Sequence, residues 1–279
     1  MQIIEQTIVP KNPRKKPEDG LVVTADFIAV IDGSTSKSKY RHSMLRSNGR
    51  YAMQLTSRYI CNMPKATTCE QFLKGVTAYI RKHYKESMLQ RLAEHPEDRL
   101  TCSVAVYSRL SREIWMVGDC QCLVTATNRQ SANHAPIYYD NPKPAEAELA
   151  AMRAEEVKRL LSEGHTVDEL CRNDIARPAI IPRMIETMRQ QNISYSVVDG
   201  FPIDTRHVRN ITLDFQPWEI VMATDGYPFL RNTLTESERL LKQQHDNDPL
   251  NIGTAFQATK GFHPDANSFD DRTYIRFKV

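Results

Sequence analysis

Carboxylates in this sequence recur at the ends of strongly apolar segments. Asp32 directly follows Phe-Ile-Ala-Val-Ile, Asp225 directly follows Ile-Val-Met-Ala-Thr, and Asp270 stands just before a further apolar segment. A carboxylate at the end of an apolar strand is held by a rigid scaffold and still reaches solvent or a metal ion. Mg²⁺ and Mn²⁺ take oxygen ligands of this kind. A single Asp-Gly pair is most often a turn, but the recurrence of the pattern predicts a site for hard divalent cations.

Composition and charge exclude several classes of protein. The chain has 279 residues, of which 41% are hydrophobic and 25% charged, and its formal net charge is +3. These values are ordinary for a folded globular protein, and the charge is too balanced for a protein that coats nucleic acid. The sequence contains neither the roughly 18 to 20 consecutive apolar residues of a membrane span nor the features of a signal peptide. We therefore expect a cytoplasmic protein that binds neither nucleic acid nor a membrane.

The carboxylates are predicted to lie on a mixture of strands and helices. Helical periodicity predicts helices over 51–62, 69–93 and 236–244 and a helical middle over about 142–191. Apolar runs predict strands over 3–9, 21–23, 27–31, 101–108, 114–126, 195–198, 208–215, 219–224 and 272–279. Hairpins interspersed with helices, instead of regular strand–helix alternation, indicate the α+β class. We expect a single domain over residues 1–279.

Short motifs along the chain occur in an order that resembles a known family. The motifs are Arg14 with Glu18-Asp19, Val30-Ile31-Asp32-Gly33, Thr101-Cys102-Ser103-Val104-Ala105, Gly118-Asp119, Ala223-Thr224-Asp225-Gly226 and Asp270-Asp271-Arg272-Thr273. Their order is similar to that of the metal-dependent protein phosphatases, the PPM or type 2C class. Each motif is short, and the ordered set over nearly the whole chain carries the resemblance.

The resemblance implies a fold and a first set of metal ligands. The fold would be a four-layer α-β-β-α sandwich, in which two antiparallel sheets lie face to face between helices. The cofactors would be two Mn²⁺ or Mg²⁺ ions in a cleft at one end of the sandwich. Asp32 would bridge both ions, Asp225 and Asp270 would complete one of them, and the Gly33 carbonyl would bind the other.

The resemblance also implies roles for residues outside this set. Glu18 or Asp19 would bind the second ion, directly or through water. Arg14 would clamp the phosphate, because a planar guanidinium matches phosphate oxygens better than an ammonium does. Asp119 is a possible ligand of a third metal ion.

The implied activity is hydrolysis of phosphoserine and phosphothreonine in proteins. Two neighbouring cations acidify a shared water, and the resulting bridging hydroxide can attack phosphorus in line without a phosphoenzyme. The expected partner is therefore a phosphorylated protein.

Three departures from the family pattern bear on this interpretation. Ser34–Lys37 follow Asp32-Gly33 where the family often has a histidine, so the general acid is unassigned. Gln121 replaces a usual arginine, and Phe229 stands where a further aspartate would complete a third metal site.

Two alternative functions follow from other observations. A catalytically weak or inactive phosphatase-like module could bind a phosphorylated partner, which the departures favour. An actin-like kinase is suggested by Asp32-Gly33-Ser34-Thr35, but the chain has no Gly-Gly pair for an adenosine motif.

Overall fold

A computed structural model describes residues 1–127 and 135–279, whose strands form two five-stranded sheets. Sheet A has the order β1-β10-β9-β6-β7 and sheet B the order β2-β3-β4-β5-β8, and all neighbouring strands are antiparallel. In chain order the strands are β1 Gln2–Val9, β2 Gly20–Val23, β3 Phe27–Gly33, β4 Cys102–Ser108, β5 Glu113–Val117, β6 Gln121–Ala126, β7 Ile137–Tyr139, β8 Arg209–Thr212, β9 Trp218–Ala223 and β10 Arg272–Lys278.

The described ranges contain seven α-helices. They are α1 Asn48–Cys61, α2 Cys69–Arg81, α3 Leu89–Glu94, α4 Glu146–Ser162, α5 Val167–Arg172, α6 Arg177–Met188 and α7 Leu234–Asn247, with 3₁₀ turns at Glu86–Met88, Pro96–Asp98 and Thr205–His207. Capping boxes fix two of the starts: Thr68 pairs reciprocally with Gln71 at α2, and Thr166 with Glu169 at α5.

One hydrophobic core lies between the sheets. Val30 and Met116 of sheet B and Met222, Ile275 and Phe277 of sheet A are fully buried in one cluster. Because side chains alternate along a strand, the next residues point outward and meet the helices.

The outer faces complete the four layers. On sheet B, Ile31 and Trp115 pack with Leu55 of α1 and Phe72 of α2. On sheet A, Leu123, Val221 and Tyr274 pack with the segment after β9, up to Leu234 at the start of α7. The predicted α+β class and four-layer sandwich of two antiparallel sheets are confirmed.

The single strand predicted over 114–126 is wrong. The chain leaves sheet B after Val117 and enters sheet A at Gln121. Gly118 makes the crossing with a φ of 80°, a conformation that favours glycine. A Cβ there would lie 2.2 Å from the Ser103 hydroxyl oxygen, so space also requires glycine.

Other boundaries differ in smaller ways. The predicted helix over 69–93 is interrupted after Arg81, where the buried Tyr84 donates a hydrogen bond to the Asp199 carbonyl. The helical middle comprises three helices, and the predicted strand over 195–198 has only two isolated bridges, one between Tyr195 and Gln191 and one between Val198 and Cys102. No helix in the described ranges is long and apolar enough to span a membrane.

Candidate metal centre

Three aspartates from three parts of the chain meet at one end of the sandwich. Asp32 lies near the end of β3 in sheet B, Asp119 in the crossing between the sheets, and Asp225 two residues after the end of β9 in sheet A. One carboxylate oxygen of each lies within 4.8 Å of those of the other two. Asp32 and Asp225 line a cavity of about 340 Å³. The folding of two sheets against each other therefore produces the cluster, since no two of these residues are neighbours in sequence.

Backbone geometry fixes Asp32 and Asp119. Asp32 pairs with Ser103 of β4, and Gly33 still pairs with Cys102, so β3 extends beyond the predicted end at Ile31. A Cβ on Gly33 would lie 2.5 Å from the Gly49 carbonyl oxygen, so the close approach of α1 requires glycine here. The Ser103 hydroxyl donates to Asp119 Oδ1 at 2.5 Å, and Gly118 turns Asp119 towards it.

The cluster concentrates negative charge. Burial, and then the charges of Asp19 and Asp119, raise the pKa of Asp32 well above its usual value. Burial, followed by the charges of Asp32 and Asp119, likewise raises the pKa of Asp225 well above its usual value. Both shifts disfavour the ionised form in the absence of a cation. Cation binding would reverse them.

Lys143 supplies a positive charge to the third carboxylate. Its Nζ lies 2.5 Å from Asp119 Oδ2. Burial opposes ionisation of Asp119, but the Lys143 charge and the hydrogen bonds from Lys143 and Ser103 hold its pKa below the usual value. Burial also disfavours the Lys143 ammonium, and the charges of Asp119 and Glu146 nevertheless raise its pKa well above the usual value. Both shifts favour the ionised forms, and hence an ion pair between Lys143 and Asp119.

Asp270 lines the same cavity but is paired with lysines. Its Oδ1 accepts a hydrogen bond from Lys11 Nζ at 2.9 Å, and Lys260 forms an ion pair with its Oδ2. It does not belong to the group formed by Asp32, Asp119 and Asp225 in the described part of the chain. Its predicted role as a metal ligand stays a prediction, one that requires these lysines to move.

Glu18 and Asp19 have different surroundings. Glu18 Oε2 accepts from the Thr35 hydroxyl at 2.7 Å. Asp19 is only 2% exposed, and its Oδ2 accepts from the hydroxyls of Thr224 at 2.7 Å and Thr273 at 3.3 Å. Burial raises the pKa of Asp19 to about 7. Because Asp19 directly precedes β2 of sheet B and both threonines belong to the sheet A side, these bonds tie the two sheets together beside the cluster.

Arg14 lies outside the cavity of the cluster. Its side chain is exposed and lines a second cavity with Lys11, Lys15 and His263. Lys11 lies between the two cavities: it lines the second one, and its ammonium donates a hydrogen bond to Asp270 in the cavity of the cluster. The phosphate-clamp role of Arg14 stays a prediction.

Sequence reasoning missed the lysines of the site. Lys37, Lys143 and Lys260 all line the cavity of the cluster. Burial, and then the charges of Arg177 and Lys143, lower the pKa of Lys37 to about 7. The family resemblance points to none of the three. A local signal exists only for Lys143, which stands between two prolines that restrict its backbone.

Some carboxylates of the site are free to bind a hard divalent ion, and others are already paired with lysines. Mg²⁺ and Mn²⁺ bind oxygen ligands, and the clustered carboxyl groups provide them. Asp32 and Asp225 could hold such an ion, with Gly33 lining the same cavity. Asp119 and Asp270 are already paired with ammonium groups.

Comparison with known proteins found structural likeness only. No family model matches the sequence, and no curated protein matches it. Solved structures of similar fold include the serine/threonine phosphatase PstP of Mycobacterium tuberculosis, with 12% identity, coverage of 99% of this chain and 98% of that one, and a TM-score of 0.46. The PPM Ser-Thr phosphatase MsPP of Mycobacterium smegmatis has 12% identity, coverage of 99% of this chain and 98% of that one, and a TM-score of 0.46. The serine/threonine phosphatase Stp1 of Staphylococcus aureus has 14% identity, coverage of 100% of this chain and 95% of that one, and a TM-score of 0.46. The class that the sequence motifs resemble is thus represented among these structures.

Proposed function

We propose that this protein is a metal-dependent phosphomonoester hydrolase of the PPM type that acts on phosphoserine and phosphothreonine in proteins. The observation that carries the proposal is the meeting of Asp32, Asp119 and Asp225, from different sheets, within 4.8 Å of one another. The PPM motifs identified in the sequence include all three residues. A cavity of about 340 Å³ at the cluster leaves room for a phosphate group.

Different residues of the chain would bind the metal ions and supply positive charge to the cavity. Asp32 and Asp225 would hold divalent metal, Mn²⁺ or Mg²⁺, and two ions are proposed from the family resemblance. When bound, such ions supply an acidified water and neutralise charge on phosphoryl oxygens. Lys143 remains an ammonium at neutral pH and adds positive potential to the cavity.

A protein substrate is supported by the wall of the cavity. Arg183 and Thr187 of α6, and Gln190 shortly after its end, line it together with the acidic residues. A phosphorylated segment longer than one residue would therefore contact α6 beside its phosphate. A single domain over residues 1–279 and a cytoplasmic location stay predictions of the sequence.

One observation favours a second candidate function. The pairing of Asp270 with Lys11 and Lys260 leaves one carboxylate fewer for metal. A phosphatase-like module that binds a phosphorylated partner without hydrolysis would tolerate this arrangement.

Hydrolysis assays separate the two candidates. The substrates are para-nitrophenyl phosphate and a phosphothreonine peptide, each with EDTA and then with Mn²⁺ or Mg²⁺. The enzyme proposal expects metal-dependent release of phosphate by the wild type, and a loss of at least about a hundredfold in Asp225→Asn because a metal ligand is removed. Asp168→Asn, on the exposed face of α5, serves as the matched control and should keep full activity.

The outcomes are distinct. A folded wild type that binds the phosphopeptide but releases no phosphate with any metal would favour the binding module. Equal activity in EDTA and Mn²⁺ would contradict a metal-dependent mechanism.

A further inference from the structure

We propose that Lys143 is a tethered cation of the acidic cluster, which keeps Asp119 as an ion-pair partner and withholds it from metal coordination. The inference rests on the proposed function, in that Asp32 and Asp225 are taken as the metal ligands. It assigns to this chain a positive group for which the family resemblance provides no counterpart. Asp119 would then not be the ligand of a third metal ion.

Both carboxylate oxygens of Asp119 are already engaged. Oδ1 accepts from the Ser103 hydroxyl at 2.5 Å, and Oδ2 accepts from Lys143 Nζ at 2.5 Å. The Asp119 side chain is 5% exposed. A metal ion that used the remaining lone pairs of Asp119 would lie close to the Lys143 ammonium, which would repel it.

The backbone holds Lys143 in place. Pro142 and Pro144 flank it and fix two φ angles. Just before them, the Asn141 amide donates to the His207 carbonyl at 3.0 Å, and α4 begins at Glu146 just after them. The backbone of such a segment loses little further entropy when the Lys143 ammonium is bound, so the attachment point of the side chain is preorganised.

The charge balance favours the pair. Lys143 experiences the negative charges of Asp119, Glu146, Asp32 and Asp225. The Lys143 ammonium therefore reduces the repulsion among the carboxylates, which in its absence only a metal ion would reduce. Asp32 and Asp225 remain available to metal, and fewer divalent ions bind than the number of clustered carboxylates would allow.

Isothermal titration with Mn²⁺ tests the inference on the full chain. Lys143→Met is expected either to bind one more equivalent of Mn²⁺ than wild type or to bind it at least about tenfold more tightly, because Asp119 is released and a repelling charge is removed. The gain should vanish in the double variant Lys143→Met/Asp119→Asn. Lys158→Met, an exposed lysine on α4, is the matched control and should match wild type.

A second variant tests the inference even if Lys143→Met does not fold. In the wild-type background, Asp119→Asn should leave the number of bound Mn²⁺ ions unchanged, because Asp119 is not a ligand, and should raise their Kd, because the Lys143 ammonium loses its counter-ion and repels the metal. A loss of one bound ion in Asp119→Asn would overturn the inference, and so would identical titrations for wild type and a folded Lys143→Met.

Failure of the proposed function and failure of the tethered cation give different results. If wild type binds no Mn²⁺ and hydrolyses no phosphate ester, the proposed function fails. A gain of binding in Lys143→Met would still support the tethered cation, and the absence of any gain would refute it.

Discussion

Replacing Asp225 by asparagine should stabilise the metal-free protein. Carboxylate oxygens of Asp32, Asp119 and Asp225 lie within 4.8 Å of one another. Two unit charges at that distance repel each other by roughly 3 kcal/mol at an effective dielectric constant of about 20. Asp225→Asn removes this repulsion, but it also removes the attraction between Asp225 and Lys260. Part of the repulsion is already absent from the wild type, because the raised pKa of Asp225 favours its neutral form. We expect a net gain of about 1 to 2 kcal/mol at pH 8, or a rise in Tm of about 2 to 4 °C.

The sign of the pH dependence follows from the raised pKa of Asp225. A carboxyl whose pKa is higher in the folded than in the unfolded state contributes stability below its unfolded pKa, and this contribution is lost as the pH rises through the folded pKa. Asparagine does not titrate. The advantage of Asp225→Asn in EDTA should therefore be small near pH 4 and grow towards pH 8.

Thermal melting in EDTA and in Mn²⁺ provides the assay. Mn²⁺ at a hundred times its Kd would stabilise wild type by about 3 kcal/mol, whereas the variant lacks a ligand and gains less. The order of the two Tm values should reverse on addition of metal, and Asp168→Asn should follow wild type throughout. A variant that melts below wild type in EDTA at pH 8, or whose advantage does not grow with pH, would refute the electrostatic reasoning.

Further substitutions test the scaffold around the site. Gly33→Ala places a Cβ 2.5 Å from the Gly49 carbonyl oxygen; we expect a loss of about 1 to 3 kcal/mol in urea unfolding together with weaker Mn²⁺ binding by titration calorimetry. Asp199→Asn breaks the buried ion pair with Arg99, whose Nη1 lies 2.9 Å from Oδ2; the expected cost is about 3 to 5 kcal/mol, and a Tm within 2 °C of wild type, taken as roughly 1 kcal/mol for a chain of this size, would contradict it. Tyr84→Phe leaves the buried Leu100 amide, which donates to the Tyr84 hydroxyl at 2.8 Å, without that acceptor; denaturant melts should show a loss of about 1 to 3 kcal/mol.

The layers of the fold could be predicted because apolar runs are a local signal. The run before Asp32 and the run before Asp225 are both buried strands in the structure. The break at Gly118 could not be predicted, because the residues on both sides remain apolar in two different sheets. A strand that changes sheets has the same hydrophobic pattern as one that continues.

The acidic residues of the site could be predicted from motifs, but their partners could not. Asp32 and Asp225 stand at strand ends that meet when the sheets pack. Lys143 and Lys260 lie on irregular segments, and their pairing with Asp119 and Asp270 depends on contacts between residues far apart in the chain. Periodicity carries no information about such contacts.

The neighbouring positions of β1 and β10 have a consequence for how the chain is made. Gln2 pairs with Lys278, so sheet A joins residues from almost opposite ends of the sequence. Such pairings have the highest contact order, and chains that depend on them fold slowly. On the ribosome, β1 must wait with its hydrogen-bonding edge open until residues 272–278 emerge. Loss of that last strand would leave β1 and β9 without their common neighbour, with two exposed edges prone to aggregation.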